Sequence, residues 1–268
     1  YVPVTHWVWG GGILSSWGTM DFAGGIVVHA TAGTAALVTA LTLGKRRGFP
    51  KSITPPHSPI LTMIGASMLW IGWFGFNAGS ALGANGGAGM AMLVTHISAA
   101  TASLVWMFIE WKRFGKPSLI GIVTGMVAGL ATVTPASGYI GVPGGLILGF
   151  FGGLLCYLAV DFIRGKLQID DSLDVFAVHG VGGILGTLLV AFLATSTFSG
   201  LGLAEGQTAV SQFFVQLKAV ILTVVWTSVF TYLILKITSF IVPLRVEEQE
   251  EIEGLDLRSH GEKGYHSD

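Results

Sequence analysis

The chain has 268 residues, 51% of them hydrophobic and only 11% charged, with a formal net charge of -1 and a mean hydropathy of +0.70. A soluble domain carries roughly 25% charged residues, so the composition excludes a water-soluble domain and indicates an integral membrane protein, while the near-zero net charge selects no class of partner. The single cysteine, Cys156, has no second cysteine with which to close an intrachain disulfide and reads as a small packing residue.

The chain begins at Tyr1, without an initiator Met or the basic, apolar and small-residue regions of a signal peptide, which leads us to expect an internal start and hence a fragment. Residues 1–20, rich in Trp and Gly, read as a loop at the membrane interface, where Trp is enriched. Seven apolar runs then follow, at 21–43, 60–82, 88–109, 118–134, 141–162, 175–195 and 213–242. Most are near the 20 or so residues that cross a hydrocarbon core of roughly 30 Å. The seventh, about 30 residues and so roughly 45 Å long, should tilt across the bundle. The sequence thus divides into a transmembrane domain, 1–246, and a polar tail, 247–268, that opens on Glu247, Glu248, Glu250, Glu251 and Glu253.

The connections after runs one, three and five carry Lys45, Arg46, Arg47 and Lys51, then Lys112, Arg113 and Lys116, then Arg164 and Lys166; those after runs two, four and six carry neither Lys nor Arg. By the positive-inside rule the basic set is cytoplasmic, so Tyr1 starts outside and the carboxyl tail ends inside. Lys218 and Lys236, near opposite ends of run seven, can snorkel to the two interfaces.

One pattern occurs twice: Asp21, His29 and Gly33 in run one, and Asp171, His179 and Gly183 at run six, with Val28 and Val178 before each His. The two runs are five spans apart and cross the bilayer in opposite senses, as in an inverted-topology repeat, which usually places its site near the midplane where the halves meet. An ionisable side chain inside a span is costly and is a functional candidate by default. Neutral imidazoles facing each other can share one hydrogen bond and still offer polar edges to a small donor-acceptor molecule such as ammonia or water. Structural core histidines are the less favoured reading. Repeats ending at runs one and six would hold five helices each, so four helices of the first repeat are expected to be missing.

Metal binding by the pair is the other chemical reading. Asp21 and Asp171 do not serve it, because eight residues are about 12 Å along a helix; they suit helix caps that accept unpaired backbone N–H groups. A third ligand would have to be His96, the one other His within a span, and no metal or other cofactor is expected. In run two, residues 71–80 contain Trp73, Phe74, Phe76 and Ser80, which could form a pore mouth or an interfacial aromatic belt. Trp7 and Trp9 lie on the same side, and an indole face attracts an ammonium-like cation. The glycines of runs four and five, Gly121, Gly125, Gly129, Gly144, Gly145, Gly149, Gly152 and Gly153, read as small residues that let helices approach closely. The last stretch is no phosphate loop, since it lacks a Gly-Lys-Ser/Thr ending.

Several segments resemble the ammonium transporter family of Amt, Mep and Rh channels: Asp21 through His29, Gly72 through Ser80, Thr134 through Gly141, Asp174 through Gly183, and Glu253 through Glu262. The likeness spans essentially the whole chain. It implies an all-α membrane bundle, part of a five-plus-five inverted repeat with an extra long carboxyl-terminal helix, in a homotrimer of the bacterial inner membrane with one pore per subunit. On this resemblance Trp9 and Ser80, supported by Asp21, correspond to an external ammonium recruitment site. Phe76 matches one of two gate phenylalanines, the other belonging to the missing spans, and Trp73 lines the same region. His29 and His179 match the twin histidines of the pore, and the tail is of the kind that couples to PII-type signal proteins. The resemblance implies a transporter of ammonium and not an enzyme. A bare ammonium ion would cost tens of kcal/mol in a low-dielectric pore, so recruitment as a cation should be followed by passage as ammonia. A membrane-embedded ammonium sensor is the rival expectation, less favoured because about two dozen residues follow the last run.

Overall fold

The computed structural model describes residues 1–53 and 55–264. Among them the regular structure is entirely helical. After two short helices, α1 (Val2–Trp9) and α2 (Ile13–Ser16), come α3 (Gly25–Leu43), α4 (Pro59–Gly79), α5 (Gly86–Phe114), α6 (Leu119–Val133), α7 (Val142–Lys166), α8 (Phe176–Leu193) and α9 (Ala209–Ser239). A short α10 (Glu248–Glu253) follows in the tail, whose last four residues, 265–268, lie outside the described set. Six of these helices are long and apolar enough to cross a membrane, and the chain is a multi-pass membrane protein.

Local chemistry sets the ends. Ser58, Asn85, Ser118 and Thr208 each accept a hydrogen bond from the backbone N–H three residues on, opening α4, α5, α6 and α9; such caps satisfy donors that a helix start leaves orphaned. Pro59 and Pro143 sit in the first turns of α4 and α7, where a missing N–H costs nothing. Lys112 and Arg113 fill the last turn of α5 before Gly115, favourable against the carbonyl end of the helix.

One expectation needs correction. Residues 1–20 are not a loop: Val2–Trp9 is helical, and its Val4 and Val8 pack with Leu14, Ile26 and Val27 against Ala219 and Val220 of α9. Trp and Gly content concealed two turns that are stabilised by this packing rather than by propensity. The fourth run, 118–134, holds a 15-residue helix, about 22 Å long, shorter than the six long apolar helices. Residues 134–139 continue as a turn. Irregular backbone at that depth is tolerated where protein buries it, and Thr134, Ala136 and Ser137 are fully buried.

The core lies among α5, α6 and α7, where small residues let the backbones touch. The Ser98 hydroxyl of α5 donates to the Gly129 carbonyl of α6 at 2.8 Å. The basic connections gather at one end of the bundle: Arg46 pairs with Asp170 at 2.8 Å, Arg113 with Asp161 at 3.1 Å and Arg164 with Asp174 at 3.0 Å. Arg245 donates to the carbonyls of Leu43 and Lys45. The 31-residue α9 carries Lys218, whose ammonium lies 3.5 Å from the Trp17 ring centre. Its buried Gln216 accepts from the Met20 N–H and donates to the carbonyls of Met20 and Thr187, tying the lead into α3 to both α8 and α9.

Candidate functional site: two facing histidines in an aromatic cavity

Each histidine is carried by a widened, π-type helical turn, Gly25–Ala30 in α3 and Phe176–Gly180 in α8. A buried aspartate organises each helix start. The Asp21 carboxylate accepts from the backbone N–H groups of Gly24, Gly25, Ile26 and Val27 at 2.6–3.1 Å. Asp171 accepts from Val175, Phe176 and Ala177 at 2.8–3.3 Å. Both residues therefore act as the caps that their spacing suggests, gathering several orphan donors on one charged acceptor.

The glycine of the repeated pattern has a geometric role. A Cβ on Gly33 would lie 2.3 Å from the Gly180 Cα, and one on Gly183 would lie 2.5 Å from the His29 Cβ. Each glycine thus clears the backbone or side chain beside the other helix's histidine, and no larger residue fits. The crossing brings the two Nδ1 atoms to 3.2 Å and the ring centres to 5.2 Å at a tilt of 31°. At that separation one Nδ1 must donate and the other accept, because two facing N–H groups would repel. His29 Nε2 is buried with no hydrogen-bond partner among the described residues.

The pair opens on a cavity of about 710 Å³ lined by Val28, Ala32, Gly72, Trp73, Phe76 and Val175 among others. Trp73 lies nearly parallel to both imidazoles, 5.3 Å and 19° from His29 and 6.3 Å and 12° from His179. Phe76 stands edge-on, 6.1 Å from His29 and 5.6 Å from Trp73. His29 is 2% exposed. The lining is therefore an apolar, aromatic wall with the imidazole nitrogens as its polar groups.

The remaining candidates sit elsewhere. Trp9 Nε1 donates to the Asp21 carbonyl at 2.8 Å, so Trp9 and Asp21 are adjoined, and Trp9 also borders a shallow surface pocket with Tyr1, Thr5 and His6. Ser80 Oγ donates to the Phe76 carbonyl at 2.9 Å, and among the described residues no hydrogen bond or ring contact joins it to Trp9 or Asp21. His96 stacks on Trp70 with centroids 5.2 Å apart and does not line the cavity. Among the described residues no cluster of three or more His, Cys, Asp or Glu is placed to hold a metal ion.

At the basic end, two carboxylates near the α8 start respond differently to their surroundings. Burial pushes the Asp174 carboxyl up to about 6, helped by Asp171 and opposed by Arg164. Asp170 also feels burial, but the hydrogen bonds and charge of Arg46 outweigh it and hold its carboxyl below the usual range. Sequence reading missed the ion pairs of these two carboxylates, since charge content alone does not reveal which loop meets which. It also missed the parallel stacking of Trp73 on the histidines, for which the sequence holds no signal beyond an aromatic in the facing span.

A family-wide profile described as the Ammonium Transporter Family matches residues 1–265. The chain is similar to the ammonium transporter Amt1 of Archaeoglobus fulgidus, 49% identical over 99% of this chain and 67% of that protein. It is likewise similar to an ammonium transporter of Aquifex aeolicus, 46% identical over 99% of this chain and 62% of that protein. Among solved structures it resembles one described as a sensor Amt protein, with a TM-score of 0.88 and 32% identity over 96% of this chain and 66% of that one. Mep2 of Candida albicans matches with a TM-score of 0.82 and 36% identity, over 92% of this chain and 57% of that one. The chain spans about two thirds of the length of the curated relatives it matches. With a profile matched almost end to end and such identity to transporters rather than enzymes, the chain belongs to the Ammonium Transporter Family.

Proposed function

We propose that the full-length protein conducts ammonium or ammonia across the membrane, and that the facing pair His29 and His179 is the polar element of its path. The observation that carries this reading is the cavity itself: two imidazoles spend one nitrogen each on the other, at 3.2 Å, while the buried His29 Nε2 keeps a free polar edge within an otherwise apolar aromatic wall. Such a lining favours a small neutral molecule that both donates and accepts, and it disfavours an ion, whose desolvation would cost tens of kcal/mol.

Recruitment of the cation belongs to the outer mouth, with Trp9, Asp21 and Ser80 as its residues and Phe76 and Trp73 as the gate below. Trp9 is half-exposed and tied to the Asp21 carbonyl, consistent with an indole presented to an arriving cation. The basic loops face the cytoplasm and the tail from 247 continues there, in an inner-membrane homotrimer built on an inverted repeat; the tail is the candidate contact for a PII-type protein. The transmembrane unit is 1–246.

Likeness to a structure described as a sensor favours one other reading, in which occupancy of the cavity is signalled and little is conducted. Full-length protein in liposomes separates the two. Under an inward ammonium gradient we expect flux well above that of empty liposomes, with potassium excluded. Flux no greater than in empty liposomes, alongside saturable ammonium binding, would leave the sensor reading standing and remove ours.

A further inference from the structure

We propose that Thr134 is a positioning residue for conduction: its hydroxyl fixes the indole of Trp73 in the plane that lies along both imidazoles. The inference rests on the conduction reading above and assigns a role to a residue outside the cavity lining.

Trp73 Nε1 donates to Thr134 Oγ1 at 3.0 Å, and Thr134 Oγ1 in turn donates to the Leu130 carbonyl at 2.7 Å. The hydroxyl proton is thus committed to the last turn of α6, which turns an oxygen lone pair toward the indole. An indole has one polar group, a single N–H donor, so this is the one hydrogen bond that orients the ring, beside its ring contacts with the imidazoles and Phe76 and its apolar packing. Thr134 is fully buried and Trp73 is 8% exposed, leaving no solvent to replace the acceptor if it is lost.

The same corner also holds the helix that carries His29. The carbonyl of Pro135, the next residue, accepts from the Phe22 N–H at 3.0 Å. The Pro135 ring is packed so closely on the start of α3 that a Cβ on Gly25 would lie 2.4 Å from it. One rigid turn therefore touches both walls of the site, the indole through Thr134 and the His29 helix through Pro135. Its geometry sets the 5.3 Å stacking distance between Trp73 and His29. Tilt of the indole changes the width of the slot beside the imidazoles, and width is what discriminates ammonium from the larger methylammonium.

The test uses full-length protein in liposomes and measures ammonium and methylammonium flux for wild type, Thr134→Val, Thr134→Ser, Trp73→Phe and the double variant Trp73→Phe/Thr134→Val. Valine keeps the shape of threonine and removes the acceptor. We expect Thr134→Val to lower ammonium flux by about fivefold or more, the factor equivalent to stranding one buried donor, and to change the methylammonium-to-ammonium ratio. Serine should restore both. In the Trp73→Phe background, which has no N–H to hold, the valine substitution should add no further change. The proposal is overturned if Thr134→Val matches wild type, if its effect is equally large with Phe at 73, or if serine fails as badly as valine. Should Thr134→Val not fold, Trp73→Phe alone decides: an unchanged methylammonium-to-ammonium ratio overturns the proposal. Exchange of the Trp73 indole proton, slow in wild type and fast in Thr134→Val, reads the contact without any flux. Slow exchange in both would refute the positioning role, whereas absence of ammonium flux in wild type would instead refute the conduction reading.

Discussion

At the start of α3 the Asp21 carboxylate holds four backbone N–H groups, whereas at the start of α8 Asp171 holds three and stands between the Arg46–Asp170 and Arg164–Asp174 ion pairs. The caps match because a carboxylate at a helix start needs only its own next few residues. Their surroundings differ because those come from distant parts of the chain. Trp9 of the amino-terminal helix covers Asp21, while loops bring arginines to the other start. The first histidine is thus anchored by hydrogen bonds alone, and the second by hydrogen bonds within a charged collar.

The comparison can be broken most easily at its stronger cap. Asp21→Ala strands four buried donors and should cost about 4 kcal/mol or more, enough to threaten folding; a melting temperature in detergent close to wild type would show that the cap is dispensable. Asp171→Ala, with one long bond among three, should cost about 2–3 kcal/mol, and a loss equal to that at Asp21 would erase the distinction. Arg46→Ala removes the guanidinium from the nearly inaccessible Asp170 carboxylate and leaves it the backbone N–H of residue 46. We expect about 2 kcal/mol, below the range for a fully buried pair because half of the arginine is solvated.

An effect of similar size is a pH dependence at the charged collar. Asp174, raised to about 6, holds its proton in the folded state after the unfolded chain has released its own, so it lowers stability as pH rises from about 4 to 6. Asp174→Asn removes that slope. Measured across this range, wild type should lose on the order of 2 kcal/mol relative to the variant. Parallel melting curves at every pH would contradict the assignment. Asp170, held low by Arg46, works in the opposite sense: its contribution is present above the ordinary carboxylate range and fades as pH falls through its lowered value.

The sequence made the spans and the two caps legible, because each depends on apolar run length or on spacing within one helix; the histidines, 150 positions apart, were linked instead by the repeated pattern they share. The glycine four residues after each histidine belongs to the same pattern, and its purpose follows once the crossing is seen: Gly33 faces Gly180, and Gly183 faces His29. What escaped reading depends on pairs far apart in the chain. Trp73 is oriented by a residue 61 positions away, Asp170 by one 124 away, and Met20 by Gln216, 196 away. Residues 1–20 escaped for another reason, since Val2–Trp9 is helical because Val4 and Val8 dock on the bundle, which composition cannot reveal. The Ser80 hydroxyl spends its proton on the Phe76 carbonyl, which leaves its oxygen as an acceptor.

The most direct test of the central claim replaces both His29 and His179 by Ala in full-length protein and measures ammonium flux into liposomes beside potassium flux. If the facing imidazoles are the polar element of the path, ammonium flux falls at least about tenfold, the equivalent of one lost buried hydrogen-bonding site, or the exclusion of potassium is lost. Ammonium flux and potassium exclusion both equal to wild type would contradict the account.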